Sequence, residues 1–154
     1  MPLPPLYRQE NEDSCALACL RMILGQHGIA VSENTLAEQA NKQAGGVDIE
    51  DLPKVLVTYG LQAEIVQLSP DALADSIAQD VFPIVYLNRL HFDRRRRPER
   101  KAAAIVHAVI CTRVSSHFVS FFDPLDGTKR RVSRQKFEAA QHDLRGWCVV
   151  CQPE

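Results

Sequence analysis

The chain has 154 residues, of which 45% are apolar and 24% are charged, and its formal net charge is -1 at pH 7. This length and composition predict a single domain over residues 1–154 that buries its own core. The balanced charge excludes the strongly basic class of proteins that bind nucleic acid or anionic membrane surfaces.

The first eight residues are predicted to be irregular, because the prolines at positions 2, 4 and 5 cannot donate to a helix ladder. This segment has neither the basic start nor the apolar run of a signal peptide, and no stretch of the chain approaches the roughly 20 apolar residues of a membrane span. We therefore expect a cytoplasmic protein without membrane insertion, whose five cysteines are thiols.

The first third of the chain predicts three helices. The alanine- and leucine-rich run 15–27 predicts a buried helix that Asp13 or Ser14 caps and Gly28 ends. The other two are predicted from Ser32 to just before Gly45 and from Ile49 to Tyr59.

From residue 62 onward the apolar pattern is mainly that of strands. Strands are predicted at 62–66, 81–87, 104–112, 117–122, 129–132 and 147–151, with helices from Pro70 to about 78 and from Ser133 to about 141. Turn residues at 123–127 separate two of the strands. Helices followed by successive strands predict the α+β class with an antiparallel sheet, and not the alternation typical of a parallel sheet.

A strongly basic segment interrupts the strands. Residues 91–101 include Arg94, Arg95, Arg96, Arg97, Arg100 and Lys101. The simplest interpretation of 91–103 is a solvated loop inserted between two strands. Because it directly precedes the strand that carries His107, contact with an acidic substrate or partner is the alternative.

Cys15 is the candidate nucleophile. It begins the first predicted helix, where unpaired N–H groups and the helix dipole favour a thiolate. A small buried side chain is the alternative interpretation of such a cysteine.

The candidate base is His107, which lies in the otherwise apolar run 104–110 and needs a partner there. A core histidine bonded to the backbone is the alternative. If the strands at 104 and 116 form a hairpin, Asp123 returns to the level of His107 and can orient its ring, although an Asp before Pro also initiates turns. Gln9 precedes Cys15 and can donate to an oxyanion, but alone it is indistinguishable from a surface glutamine.

The arrangement of these residues resembles a known family. Residues 9–28 read QENEDSCALACLRMILGQHG, which is similar to the opening of the double-glycine leader peptidases, papain-like cysteine peptidase domains best known at the front of bacteriocin-exporting ABC transporters. In that family a Gln precedes the nucleophilic Cys by six positions. A proline-containing strand, a strand opening with the catalytic His and an Asp-Pro turn with Gly follow, and 82–87, 107–110 and 123–127 resemble them.

The resemblance covers nearly the whole chain. It implies a papain-like fold, with N-terminal helices packed on the antiparallel sheet. It further implies that Cys15 is the nucleophile, His107 the base, Asp123 its orienting group and Gln9 the oxyanion donor.

The chain departs from the family pattern at three points. Ala16 follows the nucleophile where the family usually has Gly, and Ala108 follows the histidine where Phe is common. His117-Phe118 resembles that His-Phe pair, but it leaves too few residues before Asp123 for the strand to turn back, so His107 is preferred. The third departure is that we expect a stand-alone domain, without an attached transporter.

The resemblance implies a bacterial thiol peptidase that cleaves a peptide or protein after a small pair such as Gly-Gly, without a cofactor or metal ion. A separate ABC transporter or secretion protein is the implied partner, because the chain ends at Glu154 where the best-known members continue into membrane and ATPase domains. Two alternatives use the same fold: a non-catalytic module that binds a leader peptide, and an acyl transferase that passes the acyl group to an amine.

The remaining cysteines have simpler interpretations. Cys19 lies one turn after Cys15 and is expected in the core, with a redox-active thiol as the alternative. Cys148 and Cys151 have metal-ligand spacing, but in a strand their side chains diverge, so we expect no metal site there.

Overall fold

The computed structural model describes residues 2–92 and 106–153. None of the helices in these ranges is long and apolar enough to cross a membrane. The elements, in chain order, are α1 (Cys15–Gln26), α2 (Glu33–Gln39), α3 (Asp51–Thr58), β1 (Leu61–Gln67), α4 (Pro70–Ala78), β2 (Ile84–Asn88), a 3-10 turn (Arg89–His91), β3 (Val106–Val114), β4 (Phe118–Asp123), β5 (Thr128–Ser133), α5 (Arg134–His142) and β6 (Trp147–Pro153).

The strands of the described residues form one six-stranded sheet in the order β1-β6-β2-β3-β4-β5. Every neighbouring pair in it is antiparallel. The C-terminal strand β6 lies between β1 and β2, so it joins the middle of the chain to its end. The predicted α+β class with an antiparallel sheet is confirmed.

Helices cover both faces of the sheet. Strand alternation sends Ile84, Ala108 and Ile110 into one core, which they share with α1, α2 and α3. The intervening residues, such as Val85 and Val109, enter a second core with Leu73 of α4 and Phe137 of α5. The first residue of α1, Cys15, meets the first residues of β3, where it bonds with His107 and the N–H of Ala108.

The β3–β4 hairpin brings the end of β4 back beside the first half of β3. Ile110 pairs with Phe122, and both side chains enter the core beneath α1. The next residue of β4, Asp123, therefore points to the opposite face, which it shares with His107 of β3. The sequence-based expectation that a hairpin brings these two residues to one level is confirmed.

Some element boundaries differ from the predictions. Helix α2 ends at Gln39, well before Gly45, because Asn41 adopts a left-handed backbone conformation with a φ of 53°. Strand β2 begins at Ile84 instead of 81, since Pro83 has no N–H to donate to a ladder. The expected basic loop 91–103 lies outside the described residues, except for His91 and Phe92.

Candidate active site

The segment that leads into α1 is held by main-chain contacts from two directions. The Gln9 N–H donates to the Pro124 carbonyl at 2.6 Å, immediately beside Asp123. The Glu10 N–H donates to the carboxylate of Glu33 at 2.9 Å. The strand β4 and the helix α2 thus fix the position at which α1 begins.

The expected side-chain cap of α1 is absent. Ser14 occupies the N-cap position without a side-chain bond to the helix, because its Oγ donates to the Asn11 carbonyl at 3.0 Å. The Asp13 carboxylate instead binds Lys42 at 3.0 Å and accepts the Gly45 N–H at 3.0 Å. No side-chain cap therefore competes for the first N–H groups of the helix, and the N–H of Ala16 bonds to the Cys15 side chain.

His107 and Asp123 form the shortest side-chain contact at this place. His107 Nε2 lies 2.6 Å from Asp123 Oδ1, and the two residues are only 5% and 1% exposed. The same Oδ1 accepts the Leu125 N–H at 3.0 Å. Asp123 therefore both initiates the turn that follows β4 and binds His107. With Nε2 engaged, Nδ1 is the ring nitrogen left to face the thiol.

Cys15 is half-buried and lies on the side of His107 away from Asp123. Burial alone would raise the pKa of its thiol, but the hydrogen bond and positive charge of His107 and the N–H groups of Ala108 and Ala16 lower the pKa below its usual value. The geometry and the charges therefore favour a thiolate that is paired with an imidazolium.

The pKa values of His107 and Asp123 are both shifted in the direction that favours the charged form of each group. Burial would lower the pKa of His107, but its hydrogen bonds to Asp123 and Cys15, and their charges, raise the pKa to about 9. Burial would raise the pKa of Asp123, but His107, the Leu125 N–H and Arg130 lower it. Asp123 is therefore ionised, and His107 carries its proton, at neutral pH.

The other four cysteines have the opposite character. Cys19, Cys111, Cys148 and Cys151 are all buried. Burial raises the pKa of Cys19 well above its usual value, and it raises the pKa of each of the other three to about 12. Cys148 and Cys151 also enter different cores, as the strand alternation predicts.

Gln9 is beside the site but is already engaged. Its Nε2 donates to the carbonyls of Asn11 at 2.8 Å and Glu12 at 3.1 Å. Its Oε1 is buried without a partner among the described residues. In this arrangement the side chain stabilises the turn before Cys15, and Nε2 must release a carbonyl before it can donate to a substrate.

His117, the alternative base, is not part of this cluster. It is exposed at the β3–β4 turn, where its carbonyl accepts the Arg134 N–H. The structure thus brings Cys15, His107 and Asp123 together and leaves His117 outside. The described residues contain no group of three His, Cys, Asp or Glu side chains that could hold a metal ion.

Two residues near the site were not singled out from the sequence. Arg130 lies 3.3 Å from Asp123 Oδ2, and alternation along the hairpin after Asp123 was the signal that could have found it. The Tyr86 hydroxyl is buried without a partner among the described residues. Tyr86 pairs with Ala108 across β2 and β3. No sequence pattern indicates that its hydroxyl lacks a hydrogen-bond partner.

Comparison with known proteins gives a consistent result. A model of the Peptidase C39 family matches residues 4–143. The peptidase domain of Streptococcus ComA, a bi-functional ABC transporter involved in quorum sensing, is similar with a TM-score of 0.77 at 16% identity, over 97% of this chain and 98% of that one. A C39-like protein from Bacillus anthracis has a TM-score of 0.75 at 17% identity, over 97% and 94% of the two chains.

A third similar structure is a double glycine motif protease from an AMS/PCAT transporter, in complex with the leader peptide. Its TM-score is 0.73 at 17% identity, over 99% of this chain and 93% of that one. No curated protein matches the chain significantly. These similarities confirm the papain-like peptidase fold expected from the sequence.

Proposed function

The chain belongs to the peptidase C39 family, and we propose that it is an active cysteine peptidase with Cys15 as nucleophile, His107 as base and Asp123 as the group that orients the base. The observation that carries this proposal is the contrast among the cysteines. Only the half-buried Cys15 has a lowered pKa, and it is the one bonded to His107.

In the first half of the reaction, the Cys15 thiolate attacks the carbonyl carbon of a peptide bond and forms a carbon–sulfur bond. The negative charge moves to the carbonyl oxygen, where the Cys15 N–H donates to it. The Gln9 amide also donates there, after its Nε2 has released one of the two carbonyls it binds. When the intermediate collapses, the carbon–nitrogen bond breaks and His107 transfers its proton to the leaving amine.

In the second half, a water molecule attacks the thioester and gives its proton to the neutral His107. The carbon–sulfur bond then breaks, the acid product leaves and the thiolate–imidazolium pair is restored. Asp123 remains ionised throughout and keeps Nδ1 of His107 directed at the sulfur, because its bond to Nε2 fixes both the tautomer and the ring orientation.

The proposed substrate is a peptide or protein with two small residues, such as Gly-Gly, before the cleaved bond. The similar double glycine motif protease, whose structure contains a leader peptide, supports this assignment. An ABC transporter or another secretion protein is the proposed partner, because two of the similar structures are transporter peptidase domains or proteases.

The test is cleavage of a fluorogenic peptide that ends in Gly-Gly before the reporter amine, together with mass spectrometry of the quenched reaction. We expect release of the reporter and a thioester adduct on Cys15, both of which Cys15→Ala abolishes. Cys19→Ala is the matched control, since its thiol lies one turn away and is fully buried. Cleavage that persists in Cys15→Ala would disprove the assignment.

The same experiment separates the two alternatives. A binding module would bind the peptide without forming an adduct on Cys15. An acyl transferase would form the adduct and, with an added small amine, yield an amide in preference to the free acid. We expect the acid to be the main product with and without the amine.

A further inference from the structure

The two carboxylate oxygens of Asp123 have separate partners. Oδ1 lies 2.6 Å from His107 Nε2 and accepts the Leu125 N–H. Oδ2 lies 3.3 Å from Nη1 of Arg130. The proposed peptidase mechanism uses only the first oxygen, so the contact of the second one needs its own explanation.

Arg130 reaches Asp123 because of the register of the β4–β5 hairpin. Asp123 pairs with Thr128 and Phe121 pairs with Arg130, so the Asp123 and Arg130 side chains extend from the same face of the sheet. The guanidinium carbon of Arg130 lies 5.9 Å from the centroid of the Phe121 ring and 5.8 Å from that of Phe92. These rings confine the guanidinium beside the carboxylate.

A permanent cation can keep Asp123 ionised and oriented at stages when His107 is neutral and cannot do so. Asp123 is 1% exposed, and a carboxylate at such a depth stays ionised and oriented only while opposite charges or donors face it. In the proposed reaction His107 gives up its proton to the leaving amine, so its charge disappears for part of every cycle. Arginine cannot lose its proton in that way.

We propose that Arg130 is a positioning residue that holds Asp123 Oδ2, so that Oδ1 stays aligned with His107 in both protonation states of the ring. This inference rests on the proposed peptidase function. It does not make Arg130 a catalytic residue, because Arg130 acts only through Asp123. A purely structural role, in which the arginine stem packs on the two aromatic rings, is the alternative that the experiment must separate.

The experiment uses Arg130→Met, which keeps the apolar stem and removes the charge, and Arg130→Lys, which keeps the charge. Arg131→Met is the matched control, because Arg131 is the next residue of β5 and its side chain faces the other way. Its guanidinium carbon lies 4.5 Å from the centroid of the Phe118 ring, so it too packs on an aromatic side chain. Two quantities are measured: the kinetics of the Gly-Gly peptide probe, and the pKa of His107 by NMR of the labelled imidazole, which needs no activity.

In Arg130→Met we expect kcat to fall roughly tenfold with KM unchanged. We expect the pKa of His107 to rise by roughly 0.5 unit, because a nearby positive charge has been removed. Arg130→Lys should retain the His107 pKa of the wild type. In the Asp123→Asn background, Arg130→Met should have no further effect on kcat, since the group through which it acts is no longer a carboxylate.

An unchanged His107 pKa and kcat in Arg130→Met would overturn the proposal, as would equal changes in Arg131→Met or full additivity with Asp123→Asn. If Arg130→Met does not fold, a His107 pKa in Arg130→Lys that departs from the wild type by a full unit would also overturn it. Failure of the wild-type protein to cleave the probe or to acylate Cys15 refutes the peptidase function instead, and the NMR titration still tests the coupling of Arg130 to His107.

Discussion

His107 Nε2 and Asp123 Oδ1 meet at 2.6 Å at the open end of the β3–β4 hairpin, where β3 begins and β4 ends. Their contact depends on strand alternation, since the pairing of Ile110 with Phe122 turns the next residue of β4 to the face that carries His107. A one-residue slip of this register would send the carboxylate into the core beneath α1 and leave the imidazole without its partner.

The first prediction concerns Asp123→Asn. The asparagine can hold the ring but cannot stabilise its charge, so kcat/KM for the peptide probe should fall roughly 10²–10⁴-fold. The pKa of His107 should fall from about 9 toward its ordinary value, which is the direction opposite to that expected for Arg130→Met. Activity within a factor of two of the wild type would contradict the role given to Asp123.

The second prediction concerns pH. Peptide cleavage should rise as the Cys15 thiol ionises, below the usual thiol pKa, and fall as His107 loses its proton near pH 9. Alkylation of Cys15 by iodoacetamide should follow the same rise but not the fall, because it needs the thiolate and no proton donor. A parallel loss of both rates above pH 9 would argue against His107 as the proton donor.

The third prediction concerns Gln9. If its amide donates to the oxyanion, Gln9→Ala should lower kcat for the peptide roughly 10²–10³-fold and leave iodoacetamide alkylation of Cys15 unchanged, since alkylation develops no oxyanion. Gln9→Glu, which cannot donate, should behave in the same way. Equal losses of both rates would show instead that Gln9 acts by holding the carbonyls of Asn11 and Glu12.

The fourth prediction concerns Tyr86. Its hydroxyl is buried without a partner among the described residues, so Tyr86→Phe should leave the free energy of unfolding unchanged or raise it by about 1 kcal/mol. Tyr59→Phe is the control, because the Tyr59 hydroxyl donates to Gln39 Oε1 at 2.8 Å and its loss should lower that free energy slightly. Urea titrations of both variants check this, and a loss above about 2 kcal/mol in Tyr86→Phe would contradict it.

Local chemistry made much of the fold predictable. The serines at 69 and 133 cap α4 and α5 by accepting N–H groups, and Pro70 begins α4, as those residue types favour. Apolar alternation likewise indicated β3 and β4. The insertion of β6 between β1 and β2 left no comparable signal, because it depends on pairing between distant parts of the chain.

In the candidate site, too, some features are indicated by local sequence and others depend on the folded structure. Position at a helix start makes Cys15 a candidate and a place in an apolar strand makes His107 one, but their roles are implied only by the resemblance to the family. The sequence favours Asp13 or Ser14 as the cap of α1, yet Ser14 donates to the Asn11 carbonyl within its own turn and Asp13 binds the distant Lys42. For Arg130 the sequence indicates only a place in a strand, because its bond to Asp123 depends on the register of the sheet.

The pairing of Cys15 with His107 can be tested most directly by a titration of the ultraviolet absorbance of the Cys15 thiolate, measured as the difference between the wild type and Cys15→Ala. This thiolate should be present at neutral pH, and His107→Ala should shift its titration up to the ordinary thiol pKa or above. A Cys15 thiol that titrates at the ordinary value in the wild type and is indifferent to His107→Ala would contradict the pairing on which the peptidase function depends.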